Sequence, residues 1–301
     1  MRTTDDAHPN RPSAREDSEY AKEVPPTPQT TSASYRLAFA DPDFLLREQL
    51  RPVRLQLELL KPELELKEMA IESTVVVYGS ARIGDPERAK AALDRAEAEA
   101  ARDPSKAGAV EKCRQALARS QYYTEARRFG QLVSATTQVG PTRRFVIVTG
   151  GGPGIMEAAN RGADDVGAVS IGLNITLAHE QAPNAYVTPE LSFQFHYFAL
   201  RKMHFLMRAR ALVVFPGGYG TLDELFESLC LIQTTKVRKI PVLLFDRAYW
   251  QRIIDFNALL DEEVISPEDL ELFHYVDSAE AAWTFIKEHY GLVEDSVVGR
   301  D

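Results

Sequence analysis

The chain has 301 residues, 45% of them apolar, which is enough for one large α/β domain with appendages. A formal net charge of −9 sets aside non-specific binding to nucleic acid or anionic membrane, and only two cysteines, Cys113 and Cys230, set aside a disulfide framework. No apolar run approaches the ~18 residues of a membrane span, and Met1–Asp6 lacks the apolar core of a signal peptide, so a soluble cytoplasmic protein is expected.

Residues 1–34 are rich in Pro, Ser, Thr and charge and poor in large aliphatics, the composition of a disordered tail. Residues 35–72 read as a helical extension bearing Leu45, Leu46, Leu50, Leu55, Leu57, Leu59 and Leu60, with Pro52 and Pro62 expected to divide it into shorter helices. Thr74–Tyr78 is the first apolar run and ends at Gly79-Ser80-Ala81-Arg82. A long segment follows, in which the Ala-rich, charged stretch 86–119 has high helix propensity and few bulky apolar residues. It reads as a protruding helical hairpin broken near Asp103-Pro104, after which a helix over Tyr122–Thr136 returns to the sheet. Further strands are expected at Phe145–Thr149, Ala168–Leu173, Ala211–Phe215, Pro241–Phe245 and Phe273–Val276. Helices are expected over Phe195–Arg210, with Phe195, Ala199, Met203 and Leu206 on one stripe, and over Ser278–Tyr290. Continuous apolar runs alternating with helical stretches imply an α/β class: a Rossmann-like, doubly wound, mainly parallel sheet over 73–292 with helices on both faces. The helical extension precedes it and a C-terminal tail, 293–301, follows.

The stretch Pro216-Gly217-Gly218-Tyr219-Gly220-Thr221-Leu222-Asp223-Glu224 says most about function. It joins an apolar run to an amphipathic helix with Leu222, Leu225, Phe226 and Leu229 at helical spacing. Strand, glycine turn and helix N-terminus make a phosphate site, because unpaired N–H groups and the helix dipole face an anion that no side chain holds off. The spacing matches neither the nucleotide-triphosphate loop nor the dinucleotide fingerprint.

This segment resembles the P-G-G-x-G-T-x-x-E signature of the LOG (Lonely Guy) family. The pair Arg201-Lys202 and the turn Gly150-Gly151-Gly152-Pro153-Gly154-Ile155-Met156 resemble two further elements of that family, and the likeness runs from about Thr74 to Tyr290. The resemblance implies a phosphoribohydrolase, which cleaves the N-glycosidic bond of a nucleoside 5′-monophosphate such as AMP or a cytokinin ribotide into free base and ribose 5-phosphate. It also implies a homo-oligomer, built of dimers and in longer members a hexamer. Such proteins often carry the label lysine decarboxylase, yet no Schiff-base lysine motif for pyridoxal phosphate stands in this sequence. No cofactor is expected.

Each candidate residue has a second reading. Thr221-Leu222-Asp223-Glu224 is also a capping box, with Thr221 at the N-cap and Glu224 at N3; the resemblance makes Glu224 catalytic. A carboxylate suits that chemistry, because glycosidic cleavage builds positive charge on the anomeric carbon. Asp223 ranks second, since neighbouring side chains diverge on a helix. Arg201 lies on a face with Arg208, which alone reads as a solvated basic face; the resemblance makes Arg201 catalytic and puts Lys202 in the nucleotide site. The wheel places Lys202 near the apolar stripe, where its amine must snorkel or meet an anion. Gly151 and Gly152 form either a structural turn or part of a nucleotide pocket. Gly79 and Ser80 are either a plain turn or phosphate contacts. Glu180 matches a family glutamate that touches substrate, or is simply solvated. His179, His196 and His204 have no metal-site spacing, and no metal is expected. Plant-type members commonly carry threonine near the substrate where this chain has Cys230.

The substrate-binding set therefore comprises Gly79, Ser80, Gly151, Gly152, Glu180, Lys202, Gly217, Gly218, Tyr219, Gly220, Thr221 and Asp223, around the catalytic pair Arg201 and Glu224. The competing function is a non-catalytic nucleotide or molybdenum-cofactor carrier on the same fold.

Overall fold

A computed structural model describes residues 11–177 and 182–292 of the chain. The first ten residues, the C-terminal tail and Glu180 with His179 lie outside the described residues. The chain divides into two units, up to Glu58 and from Leu59 onward.

The first unit is built of local structure. Helix α1, Ala14–Tyr20, falls in the stretch read as a disordered tail; a capping box between Ser13 and Glu16 closes it, and none of its residues is buried. Helix α2, Pro42–Leu45, starts on Asp41, whose side chain accepts from the N–H groups of Asp43 and Phe44. Helix α3, Arg51–Glu68, runs from the first unit into the second. Pro52 stands in its first turn, where a proline costs little. Pro62 was expected to end a helix and does not. Only the bond from its own missing N–H is lost. Past it, Leu66 is buried and Glu63 binds Arg208, so tertiary contacts carry the helix through.

The second unit holds strand β1 (Thr74–Tyr78), α4 (Pro86–Arg102), α5 (Ala107–Arg119), α6 (Gln121–Thr137), β2 (Val146–Thr149), α7 (Ile155–Asp164) and β3 (Ile171–Ile175). It continues with β4 (Ser192–Phe195), α8 (Phe198–Met207), β5 (Ala209–Val214), α9 (Tyr219–Gln233), β6 (Val242–Phe245), α10 (Arg247–Ile253), α11 (Phe256–Asp261), β7 (His274–Val276) and α12 (Ala279–Tyr290). The seven strands form one sheet in the order β4-β3-β2-β1-β5-β6-β7, and every pairing is parallel. Strands β1, β2, β3 and β6 are buried at every residue, which is why they read as unbroken apolar runs. On one face Val75, Val77, Val213 and Leu243 pack with Phe129 and Val133 of α6, Ala158 of α7 and Trp283 of α12. On the other, Tyr78 meets Phe205 of α8 edge-on at 5.1 Å. The fold is doubly wound. The chain steps outward from β1 to β4 and returns to β5 on the other side of β1, so the topological switch point lies between β1 and β5. In such sheets, ligands bind beyond the strand C-termini at that point.

Two sequence expectations fail here. Phe195 is not helical. Ser192–Phe195 alternates, with Phe193 and Phe195 buried and Gln194 exposed, and pairs with β3 as an edge strand. The stripe read on α8 is also displaced: Leu200, His204 and Phe205 are buried, whereas Ala199 and Met203 are exposed. The hairpin of α4 and α5 forms with its break at Asp103-Pro104 and is rooted by Asp85, which caps α4 and accepts from Arg161 of α7 at 2.8 Å.

Candidate active site

A cleft of about 700 Å³ opens at the switch point. The turn after β1 supplies Gly79, Ser80, Ala81 and Arg82, and the turn and first residues of α9 supply Gly218 to Glu224. Helix α8 adds Phe198, Arg201 and Phe205, and the second glycine turn adds Gly150 and Met156.

Helix α9, with its N-cap, begins three residues before the expected position. Gly218 is its N-cap, with no side-chain cap bond, and Thr221 is the third helical residue. The capping-box reading of Thr221 and Glu224 is thereby corrected: Glu224 lies beyond N3, and its side chain is not a cap. The first N–H groups of any α-helix lack intrahelical acceptors, and here, with no capping side chain, they belong to residues that line the cleft. Gly217 is fixed by close approach, since a Cβ there would stand 2.0 Å from Thr221 Oγ1. Tyr219 is 93% exposed and projects from the rim of the cleft into solvent.

The second glycine turn serves mainly as scaffold. Gly151 donates its N–H to Thr149 Oγ1 at 2.9 Å, and Asn184 Nδ2 donates to the carbonyls of Gly151 and Gly152 at 3.1 and 3.0 Å. Neither glycine lines the cleft. At Gly154, φ is +74°, and a Cβ would stand 2.4 Å from the Ser80 carbonyl oxygen. That oxygen accepts from Ile155 N–H at 3.1 Å, so the start of α7 is seated on the β1 turn. Ser80 N–H in turn donates to the Pro216 carbonyl at 3.1 Å, which joins the β1 turn to the α9 turn. Ser80 Oγ accepts from Arg82 N–H at 3.1 Å.

Glu224 is 8% exposed and stands at the floor of the cleft. Arg201 Nη1 is 3.8 Å from its Oε1. Arg201 is itself placed by a bond from Nε to the Leu173 carbonyl at 2.8 Å and lies over the Phe205 ring, 5.1 Å from its centroid. Burial pushes the Glu224 carboxyl up to about 7. Arg201 and Lys202 oppose the shift, while Glu227 and Asp223 add to it. Tyr78 lies beside this carboxylate, and burial, then the Glu224 charge, holds its phenol well above the ordinary value.

Lys202 meets anions, as its place on the wheel required, but it does not line the cleft. Its amine binds Asp223 Oδ2 and Glu227 Oε2, both at 2.8 Å, and so ties α8 to α9. Burial pulls the amine down; the bonds to Asp223 and Glu227 outweigh it and leave it above its usual value. Arg208, expected on the same face as Arg201, turns instead to Glu63. Cys230 is exposed and lies off the cleft, near the C-terminal end of α9. His204 is buried with Nδ1 3.7 Å from Glu63, and His196 meets the Tyr197 ring edge-on at 4.6 Å. Among the described residues, no group of three or more His, Cys, Asp or Glu is placed to hold a metal ion, and no helix is long and apolar enough to cross a membrane.

Sequence reasoning did not single out Tyr78, Met156, Phe198 or Arg82 as lining residues. Arg82 was legible as part of the first turn and Met156 as part of the second; Tyr78 read as the end of a strand, and Phe198 gave no signal.

A family model described as possible lysine decarboxylase matches residues 156–286, a span that includes Arg201, Lys202 and the α9 turn with Glu224. The cytokinin riboside 5′-monophosphate phosphoribohydrolase LOG7 of Arabidopsis thaliana is 38% identical over 68 residues, 22% of this chain. The chain spans about a third, 31%, of the length of that curated relative. Among solved structures, the molybdenum cofactor binding protein of the phototrophic bacterium Rippkaea orientalis is 22% identical, covers 56% of this chain and 88% of its own, and has a TM-score of 0.40. An X-ray structure of a structural-genomics target is 19% identical over 72% of this chain and 99% of its own, with a TM-score of 0.45. The family model, over residues 156–286, and the plant relative both support the resemblance to the LOG family carried by the α9 turn.

Proposed function

We propose that the protein hydrolyses the N-glycosidic bond of a nucleoside 5′-monophosphate, with AMP as the first substrate to try. The observation that carries the reading is Glu224, a buried carboxyl titrating at about 7, beside Arg201 in a cleft whose wall is an uncapped, glycine-rich helix N-terminus. The 5′-phosphate lies on the N–H groups at the start of α9, where the helix dipole favours an anion. The ribose then reaches Glu224 further along the same helix. Water attacks C1′, its oxygen bonding there as the C1′–N bond breaks. Glu224 in its ionised form takes the proton from water and stabilises the positive charge growing on C1′. The base leaves with the bonding electron pair and takes up a proton, and Arg201 donates to it or orients Glu224.

A nucleotide or molybdenum-cofactor carrier would need a phosphate cradle but no carboxyl poised near neutrality. The Arg201–Glu224 pair therefore favours hydrolysis. Among the described residues, no lysine lines the cleft. The working assembly in this proposal is a homo-oligomer of the 33.7 kDa chain, in keeping with Leu57, Leu60 and Leu64 of α3, each at least half exposed. Incubating the full chain with a panel of nucleoside monophosphates, followed by chromatography for free base, tests the activity. A panel left intact would reject it.

A further inference from the structure

Tyr249, on α10, lies outside the cleft lining and outside every motif described above. Its hydroxyl donates to the Gly217 carbonyl at 2.7 Å, across 32 positions of sequence. We infer that Tyr249 is a positioning residue that aims the α9 turn at the phosphate, an inference that rests on the phosphate-cradle reading above.

A planar trans peptide points the carbonyl of one residue and the N–H of the next in opposite directions. Holding the Gly217 carbonyl on the Tyr249 side therefore directs the Gly218 N–H away from Tyr249, and Gly218 lines the cleft. This peptide needs such a hold. Glycine stands on both sides of it, so side-chain sterics restrain its plane weakly. At Gly218 a Cβ would meet nothing within 4 Å, and the same is true at Gly220. The α9 N-cap has no side-chain cap bond to fix the turn from within. The Tyr249 hydrogen bond supplies that restraint from outside.

Tyr249 is itself held. Asp246 caps α10, with Oδ1 accepting from Tyr249 N–H at 3.1 Å. Asp246 stands at φ 70°, ψ 93°, a conformation a non-glycine residue keeps only when its surroundings impose it. They do so here: its N–H donates to the Val276 carbonyl at 2.9 Å, and its Oδ2 accepts from the Tyr122 hydroxyl of α6. Trp250, fully buried, anchors the helix one residue on and meets the Tyr249 ring edge-on at 5.2 Å. A rigid path thus runs from Tyr122 through Asp246 and Tyr249 to the glycine turn.

The test compares full-length wild type with Tyr249→Phe, which keeps the ring and deletes the hydroxyl. Binding of ribose 5-phosphate is read by calorimetry, AMP hydrolysis is read in parallel, and melting temperature is recorded. The expected result is ribose 5-phosphate affinity lowered about tenfold, KM for AMP raised by a similar factor, and kcat within about twofold, as for loss of binding common to ground and transition state. The melting temperature stays within about 2 °C. Tyr122→Phe, which loosens Asp246, gives a smaller change in the same direction. Unchanged ribose 5-phosphate affinity in Tyr249→Phe overturns the inference, as does a loss accompanied by a markedly lower melting temperature. The binding ratio needs no turnover, so a wild type that binds ribose 5-phosphate but leaves AMP intact counts against the proposed activity and leaves the Tyr249 comparison decisive. A wild type that does not bind ribose 5-phosphate overturns both.

Discussion

Arg201 Nη1 stands 3.8 Å from Glu224 Oε1, near enough for its charge to act and beyond hydrogen-bond length. The guanidinium is held back by its bond to the Leu173 carbonyl and its place over Phe205. Burial therefore outweighs attraction, and Glu224 titrates near neutrality rather than as a locked ion-pair member.

Glu224→Gln separates catalysis from stability. Turnover is expected to fall by roughly two to four decades, as for loss of a general base. Stability should move the other way. The folded carboxyl titrates at about 7 against an ordinary 4.5, so the stability it contributes is fully present below the ordinary value and is lost as pH rises through about 7. Gln carries no such penalty. Melting temperatures measured from about pH 5 to about pH 8 should show the variant gaining on the wild type as pH rises. A variant that melts lower by the same margin throughout would mean that Glu224 is structural.

Lys202→Gln tests the electrostatics around the same carboxyl. Lys202 holds Glu224 down, and its loss also leaves Asp223 and Glu227 uncompensated, which pushes Glu224 further up. The ascending limb of the pH–rate profile, set by ionisation of Glu224, should move to higher pH. Activity should then be lower at neutral pH and largely restored in alkali. A profile reduced equally at every pH would show that Lys202 acts by touching substrate.

Much of this was legible in the sequence. The strands came from apolar runs, and the α9 turn came from glycine spacing beside Glu224, because both patterns are local. The misreadings each involve a competing local rule settled by tertiary contact. Thr221 has the chemistry of an N-cap, yet Gly218 takes that place and Thr221 packs under Gly217. Gly151 and Gly152 carry two readings in the sequence, a structural turn or part of a nucleotide pocket; Thr149 takes the Gly151 N–H and Asn184 the two carbonyls, contacts that no local pattern announces. Phe195 extends a helical stripe on paper and instead closes an edge strand. Tyr249 carries no pattern at all, because its partner is 32 positions away.

Gly217→Ala should cost about 1–3 kcal/mol of stability, since the new methyl meets the Thr221 side chain and something must shift. Phosphate-dependent binding should weaken with it. Pairing the change with Thr221→Ala should recover part of the stability. Chemical denaturation of the two variants measures this, and an unaltered midpoint in the single variant would contradict the close approach.

The hairpin of α4 and α5 buries only Leu93 in α4 and no residue in α5. Replacing 86–119 by a short Gly/Ser linker should therefore preserve folding. Its root, Asp85 with Arg161, lies a few residues from Arg82 of the cleft, so KM or the assembly seen by sedimentation should change. If neither changes, the hairpin is a passive appendage.

Glu224 acts, in this proposal, on a phosphorylated nucleoside. The most direct measurement is a chromatographic time course of AMP and of adenosine with the wild type, and of AMP with Glu224→Gln. The expected result is adenine and ribose 5-phosphate released in equal amounts from AMP, at least about a hundredfold less efficient turnover of adenosine, and release from the variant slower by roughly two to four decades. AMP that is bound but recovered intact would contradict the account and favour a carrier, and equal turnover of adenosine and AMP would contradict the phosphate cradle.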